Sequence, residues 1–128
     1  MTHFELSDLV TRFTEAFNRD DLEAVMGCFA DDVVYDEFNG KQSRGKAAVR
    51  AAFTPQFAGA FGKIRFRTED LFVDPVSGKA LIRWLCTIER DGRVRGWRGL
   101  DILHVSNGVI SEKLTYAKAE RLALDELP

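Results

Sequence analysis

The hydrophobic period of this chain changes at Lys63. Before that point apolar residues recur at spacings of three and four. After it they alternate, and the dipeptides Asp91-Gly92 and Asn107-Gly108 punctuate the alternation. Asp-Gly and Asn-Gly between alternating segments are two-residue hairpin signals, because a type I′ turn needs positive φ at both central positions. The stretches KIRFRTEDLFVD, KALIRWLCTIER, RVRGWRGLDILHVS and VISEKLTYA therefore predict a long antiparallel meander of three or four strands, the first of them open to a bulge. KALIRWLCTIER is apolar on both faces, as expected of a central strand covered on both sides.

The first half reads as helices. Ser7 opens a stripe of Leu9, Val10, Phe13, Ala16 and Phe17 that predicts a helix to about Asn18. Asp20, with Glu23 three residues on, forms a capping-box pattern ahead of a short second helix carrying Leu22, Val25, Met26 and Phe29. FADDVVYDEFNG predicts a strand with Val33, Tyr35 and Glu37 on one face and Val34, Asp36 and Phe38 on the other. GKQSRG reads as a loop, KAAVRAAF as a third helix ending before Pro55, and KAERLALDEL as a short closing helix. Helices first and strands afterwards predict an α+β fold. Three N-terminal helices would pack on a curved antiparallel sheet in a cone, all within one domain spanning residues 1–128. With Trp97 and Asp101 facing inward, Leu100 and Ile102 face outward, so a homodimer through the outer sheet face is expected.

Composition narrows the function. The 128 residues carry a net charge of −2, which gives no attraction for nucleic acid or an anionic membrane. The run Arg90, Arg93, Arg95 and Arg98 straddles a hairpin turn, where exposed charges are ordinary. Cys28 and Cys86 form no CxxC and fit buried thiols, so a reducing, cytoplasmic setting is expected. No segment has the length of apolar residues a membrane span needs. His3 and His104 lack ligand-spaced neighbours, so no metal is expected. Neither a GxSxG elbow nor a phosphate-binding glycine loop is present.

Two acids remain as candidates for chemistry. Asp101 interrupts an apolar row of Trp97, Gly99, Leu103 and Val105. A buried carboxylate without a cation favours its neutral form and can donate a hydrogen bond to a developing oxyanion; paired with a cation it is structural. Glu37 shares a face with Tyr35 at a strand end that feeds an irregular loop, where a general base is readily presented. Phe13, Phe17, Tyr35, Phe53, Trp84, Trp97, Leu103 and Tyr116 are the expected lining of a cavity for a small hydrophobic molecule, with Phe66 and Phe72 as further aromatic candidates.

The segments LVTRFTEAFNRDDLEAVMGCFADDVVYDEFNG, RGKAAVRAAF and GWRGLDILHVSNGVISEKLTY resemble the nuclear transport factor two-like superfamily, in its SnoaL-like and ketosteroid isomerase-like branch. The resemblance covers nearly the whole chain. It implies a cofactor-independent enzyme of isomerase, cyclase or hydratase type, or else a non-catalytic binding or dimerisation domain. Matched to the isomerase pattern, Glu37 falls on the general base and Asp101 on the protonated oxyanion donor. The helix-one tyrosine of that pattern falls on Phe13. The aspartate that polyketide cyclases carry after the last strand's tyrosine is replaced here by Ala117 and Lys118, and the arginine of the epoxide hydrolases by Gly99.

Overall fold

A computed structural model describes residues 1–118. The elements are α1 (His3–Asn18), α2 (Leu22–Gly27), β1 (Phe29–Asp36), β2 (Gln42–Arg44), α3 (Lys46–Phe57), β3 (Lys63–Asp74), β4 (Lys79–Arg90), β5 (Arg93–Ser106) and β6 (Val109–Lys118). The closing helix expected at KAERLALDEL lies outside the described residues.

Helix α1 begins earlier than Ser7, because Thr2 and Glu5 form a reciprocal capping box. The cap of α2 is Asp21, whose side chain accepts from the Ala24 amide, while Asp20 takes a left-handed φ of 57° at the turn. Helix α3 runs through Pro55 to Phe57 rather than stopping before it. Proline removes one amide donor, a loss that matters little this close to a helix end, and the Ala58 amide still reaches the Thr54 carbonyl.

The six strands form one curved, unclosed sheet in the order β2-β1-β6-β5-β4-β3. The meander β3 to β6 is antiparallel, and both predicted turns carry positive φ at their two central residues, Asp91 and Gly92, then Asn107 and Gly108. Two features were absent from the sequence reading. The GKQSRG segment contributes the short strand β2, and β1 pairs with β6 in parallel, which sets Tyr35 opposite Lys113.

Two bulges decide which residues face inward. In β3, Thr68 pairs with Trp84 and Asp70 with Arg83, so Glu69 has no opposite residue. In β6, Val105 pairs with Ile110 and His104 with Glu112, so Ser111 is the extra residue. An extra residue reverses the alternation of side chains beyond it. Ile110, Lys113 and Thr115 therefore all turn inward, and Tyr116 turns out.

The core lies between the helices and the concave face of the sheet. Phe13 and Phe17 of α1 meet Phe29, Phe53 and Phe66 edge to face, with ring centroids 5.0 to 5.5 Å apart among these pairs. The Asn18 side chain fastens α1 to β3, donating to the Phe66 carbonyl at 2.8 Å and accepting from its amide at 2.7 Å. Phe13, Phe17, Phe53 and Phe66 also form part of the wall of a cavity between the helices and the sheet.

Candidate functional site

This cavity has a volume of about 410 Å³, within the usual range for small-molecule sites. Its wall is mainly apolar: Phe13 and Phe17 from α1, Phe53 from α3, Ile64 and Phe66 from β3, Ile82, Trp84 and Ile88 from β4, and Trp97 from β5. Tyr35 stacks on Phe53 with centroids 4.9 Å apart and planes 17° from parallel, which gives one flat aromatic side. Phe38 and Phe61 also line the cavity and are more than half exposed.

Polar groups converge on this apolar wall from two places. Glu37 and Asn39 enter from the turn that follows β1, where the Glu37 amide bonds the Lys41 carbonyl and the Gly40 amide bonds the Glu37 carbonyl. Asp101, Lys113 and Thr115 enter from β5 and β6. Asp101 stands opposite Thr115 in the ladder and Lys113 opposite Leu103, so adjacent inward positions bring the three together.

The geometry around Asp101 is that of an acceptor. Its Oδ1 receives the Lys113 ammonium at 3.1 Å and the Thr115 hydroxyl at 2.6 Å, and its Oδ2 receives the Trp84 indole N–H at 3.3 Å. Lys113 also donates to Thr115 Oγ1 at 2.7 Å and lies 4.5 Å from the centroid of the Tyr35 ring. Burial is the largest single influence and opposes the lysine's charge, but its partners, Asp101 first by charge and by hydrogen bond, together outweigh it and hold the ammonium above the ordinary lysine range. Burial likewise raises the Tyr35 hydroxyl, which keeps it neutral.

Gly99 makes this arrangement possible. It pairs with Trp84 across the β4–β5 ladder, and a Cβ at Gly99 would overlap the Trp84 ring and the Tyr116 carbonyl. The bare backbone lets the indole lie flat across β5 and aim its N–H at Asp101. The spacing Trp97-x-Gly99-x-Asp101 thus has a local cause.

Residues 10–113 match the family model of the SnoaL-like domain. The chain belongs to that family. Solved structures agree on its fold. A provisionally named polyketide cyclase from Xanthomonas campestris pv. campestris is 21% identical, with a TM-score of 0.78 over 89% of this chain and 90% of that one. A nuclear transport factor two-like protein of unknown function from Mesorhizobium loti is 22% identical, with a TM-score of 0.77 over 91% of this chain and 93% of that one. A cystatin-fold protein from Novosphingobium aromaticivorans is 17% identical, with a TM-score of 0.72 over 87% of this chain and 96% of that one. Identities this low carry the fold and not the activity. No curated protein sequence matches the chain.

Within this SnoaL-like domain, Glu37, Asp101, Phe13, Phe17, Tyr35, Phe53, Trp84 and Trp97 all line the same cavity. Two expected lining residues do not. Leu103 is fully buried in the core, and Tyr116 is 57% exposed on the outer face because the Ser111 bulge reverses the strand. Phe72 is likewise an exposed outer-face residue. The expectation for Asp101 as a neutral donor also needs correction, since Lys113 supplies the cation that a lone buried acid would lack. Arg98 is turned away from the site. It forks onto Glu69 on the outer face, with Nε 2.8 Å and Nη2 3.1 Å from the carboxylate oxygens. Lys113 and Thr115, with Thr14, Asn39 and Gln56, are polar cavity residues outside the site expected from sequence, and the signal for Lys113 and Thr115 was an inward face shared at a spacing of two. Among the described residues no cluster of metal-ligating side chains is present, and no helix is long and apolar enough to cross a membrane.

Proposed function

We propose that the cavity binds a small, largely apolar ring or carbonyl compound and moves a proton within it, with Glu37 as general base. The observation that carries this reading is the shared cavity: the Glu37 carboxylate and the Asp101, Lys113 and Thr115 cluster both line one mainly apolar space. Glu37 would take a proton from the carbon beside the carbonyl. The C–H electron pair becomes the enolate double bond, the carbonyl π pair moves to oxygen, and the protonated Glu37 returns the proton to carbon. An apolar, water-poor site strengthens every such electrostatic contact. This chemistry calls for no cofactor.

The direct test is deuterium uptake from D2O into the α-positions of a panel of cyclic ketones and enones, followed by NMR. Uptake that depends on the protein and is lost in Glu37→Gln supports the reading; uptake no faster than buffer across the panel counts against it.

A binding domain without turnover is the second reading, favoured by the engagement of both Asp101 oxygens in hydrogen bonds. It predicts retained ligands and no uptake.

We also propose that the outer sheet face pairs with a second copy of this chain. Phe72, Leu81, Ile102 and Leu114 lie side by side in register across four strands, and Leu100 and Tyr116 adjoin them. An apolar band flanked by charge suits a self-complementary interface. Sedimentation equilibrium should give a dimer that Ile102→Glu converts to a monomer; a wild-type monomer at micromolar concentration would contradict the proposal.

A further inference from the structure

Counting hydrogen-bond capacity around Asp101 leaves Lys113 with donor capacity to give. The Thr115 hydroxyl has a single hydrogen and gives it to Asp101. The Trp84 indole has a single N–H and gives it to the same carboxylate. Asp101 accepts all three contacts. An ammonium has three N–H bonds, and among the described residues Lys113 has two oxygen partners, Asp101 and Thr115. Its remaining capacity lies beside the Tyr35 ring, and Lys113 lines the cavity.

We propose that Lys113 is the specificity-determining group of the cavity: it takes the carbonyl or phenolate oxygen of a flat, apolar ligand. This inference rests on the ligand-binding reading above and names the class of molecule that reading leaves open. The stacked Tyr35 and Phe53 rings give the ligand a flat wall on the same side as the ammonium. Asp101 offsets the lysine's charge, so a neutral carbonyl or a single negative charge suits the position and a cationic ligand does not. Because its polar partners, Asp101 first, together outweigh burial and favour the ammonium, the lysine acts as a hydrogen-bond donor and not as an amine nucleophile. An oxygen bearing developing negative charge gains more from this donor than a resting carbonyl does, since buried charge-assisted bonds are the strong ones.

The test compares 2-naphthol with naphthalene, which differ only in the oxygen. Binding is measured by fluorescence titration, and ionisation of bound naphthol by its absorbance across a pH series. The wild type should bind naphthol roughly ten-fold or more tightly than naphthalene. The bound hydroxyl should ionise about one pH unit or more below its value in free solution. In Asp101→Leu/Lys113→Met, which removes both charges together so that neither is left buried alone, both differences should vanish while naphthalene binding persists. Equal affinity for the two compounds, or an ionisation that is unshifted or raised, overturns the role of Lys113 and leaves the cavity reading standing. Failure of both compounds to bind overturns the two together. The wild-type comparison decides the matter even where the double variant does not fold.

Discussion

The Lys113 ammonium stands 3.1 Å from Asp101 Oδ1, with less than a tenth of either side chain exposed. This pair is costly to build and more costly to break. Taking two charges out of water is repaid only by their mutual attraction and by the added bonds from Thr115 and Trp84. Asp101→Leu or Lys113→Met should each destabilise the fold by about 3–5 kcal/mol, because the survivor is left buried and unpaired. The double variant Asp101→Leu/Lys113→Met should lie closer to the wild type than either single variant does. Urea unfolding of the four proteins checks the cycle.

Gly99→Ala should act on Trp84 without touching either charge. The added methyl collides with the indole, which must move off Asp101, and with the Tyr116 carbonyl of the neighbouring strand. A loss of about 1–3 kcal/mol is expected, the usual range for overpacking. In a Trp97→Phe background the fluorescence of Trp84 reports the movement directly, and an unchanged spectrum would show that the glycine is not needed.

Glu37→Gln should separate chemistry from folding. The side chain has no hydrogen-bond partner to lose among the described residues and sits at a turn, so stability should change by no more than about 0.5 kcal/mol. Proton transfer should fall by roughly 10²–10⁴-fold. Ligand affinity should persist, which calorimetry can verify beside the exchange assay.

Alkali should destabilise the fold through four buried groups whose pKa values are all raised. Burial pushes the Cys86 thiol up to about 12, Cys28 and Tyr35 are also raised by burial, and Lys113 is raised by its partners against the effect of burial. A group whose folded pKa is raised keeps its full contribution below its unfolded value and loses it as pH climbs towards the folded one. Stability should therefore decline from about pH 9, where an unfolded cysteine ionises, and continue to fall towards 12. Thermal unfolding between pH 8 and 11 measures the slope, and Cys86→Ala should flatten its first part.

What the sequence made legible was local. The change of period at Lys63, the two turn dipeptides and the inward row Trp97, Gly99, Asp101 depend on nearest neighbours along the chain, and the structure carries them as read. The position of Glu37 on the Tyr35 side of the strand followed from the same alternation. What stayed hidden depends on partners distant in sequence. The parallel pairing of β1 with β6 sets Tyr35 beside Lys113, and nothing near either residue announces it. The Ser111 bulge is a second case. Strict alternation from Ile110 would place Tyr116 inside and Lys113 outside, and one unopposed residue reverses both. The character of Asp101 turned on that single reversal.

The central claim is that this cavity receives an apolar molecule whose oxygen meets the polar cluster. It is tested most directly by thermal unfolding of the wild type against steroids, cyclic enones, aromatic polyketides and terpene epoxides. At 100 times its Kd a ligand adds about 2.7 kcal/mol, a rise of several degrees in Tm for a domain of this size. The account predicts such a rise for ketones and phenols and a smaller one for their oxygen-free counterparts; a flat response across the whole panel would contradict it.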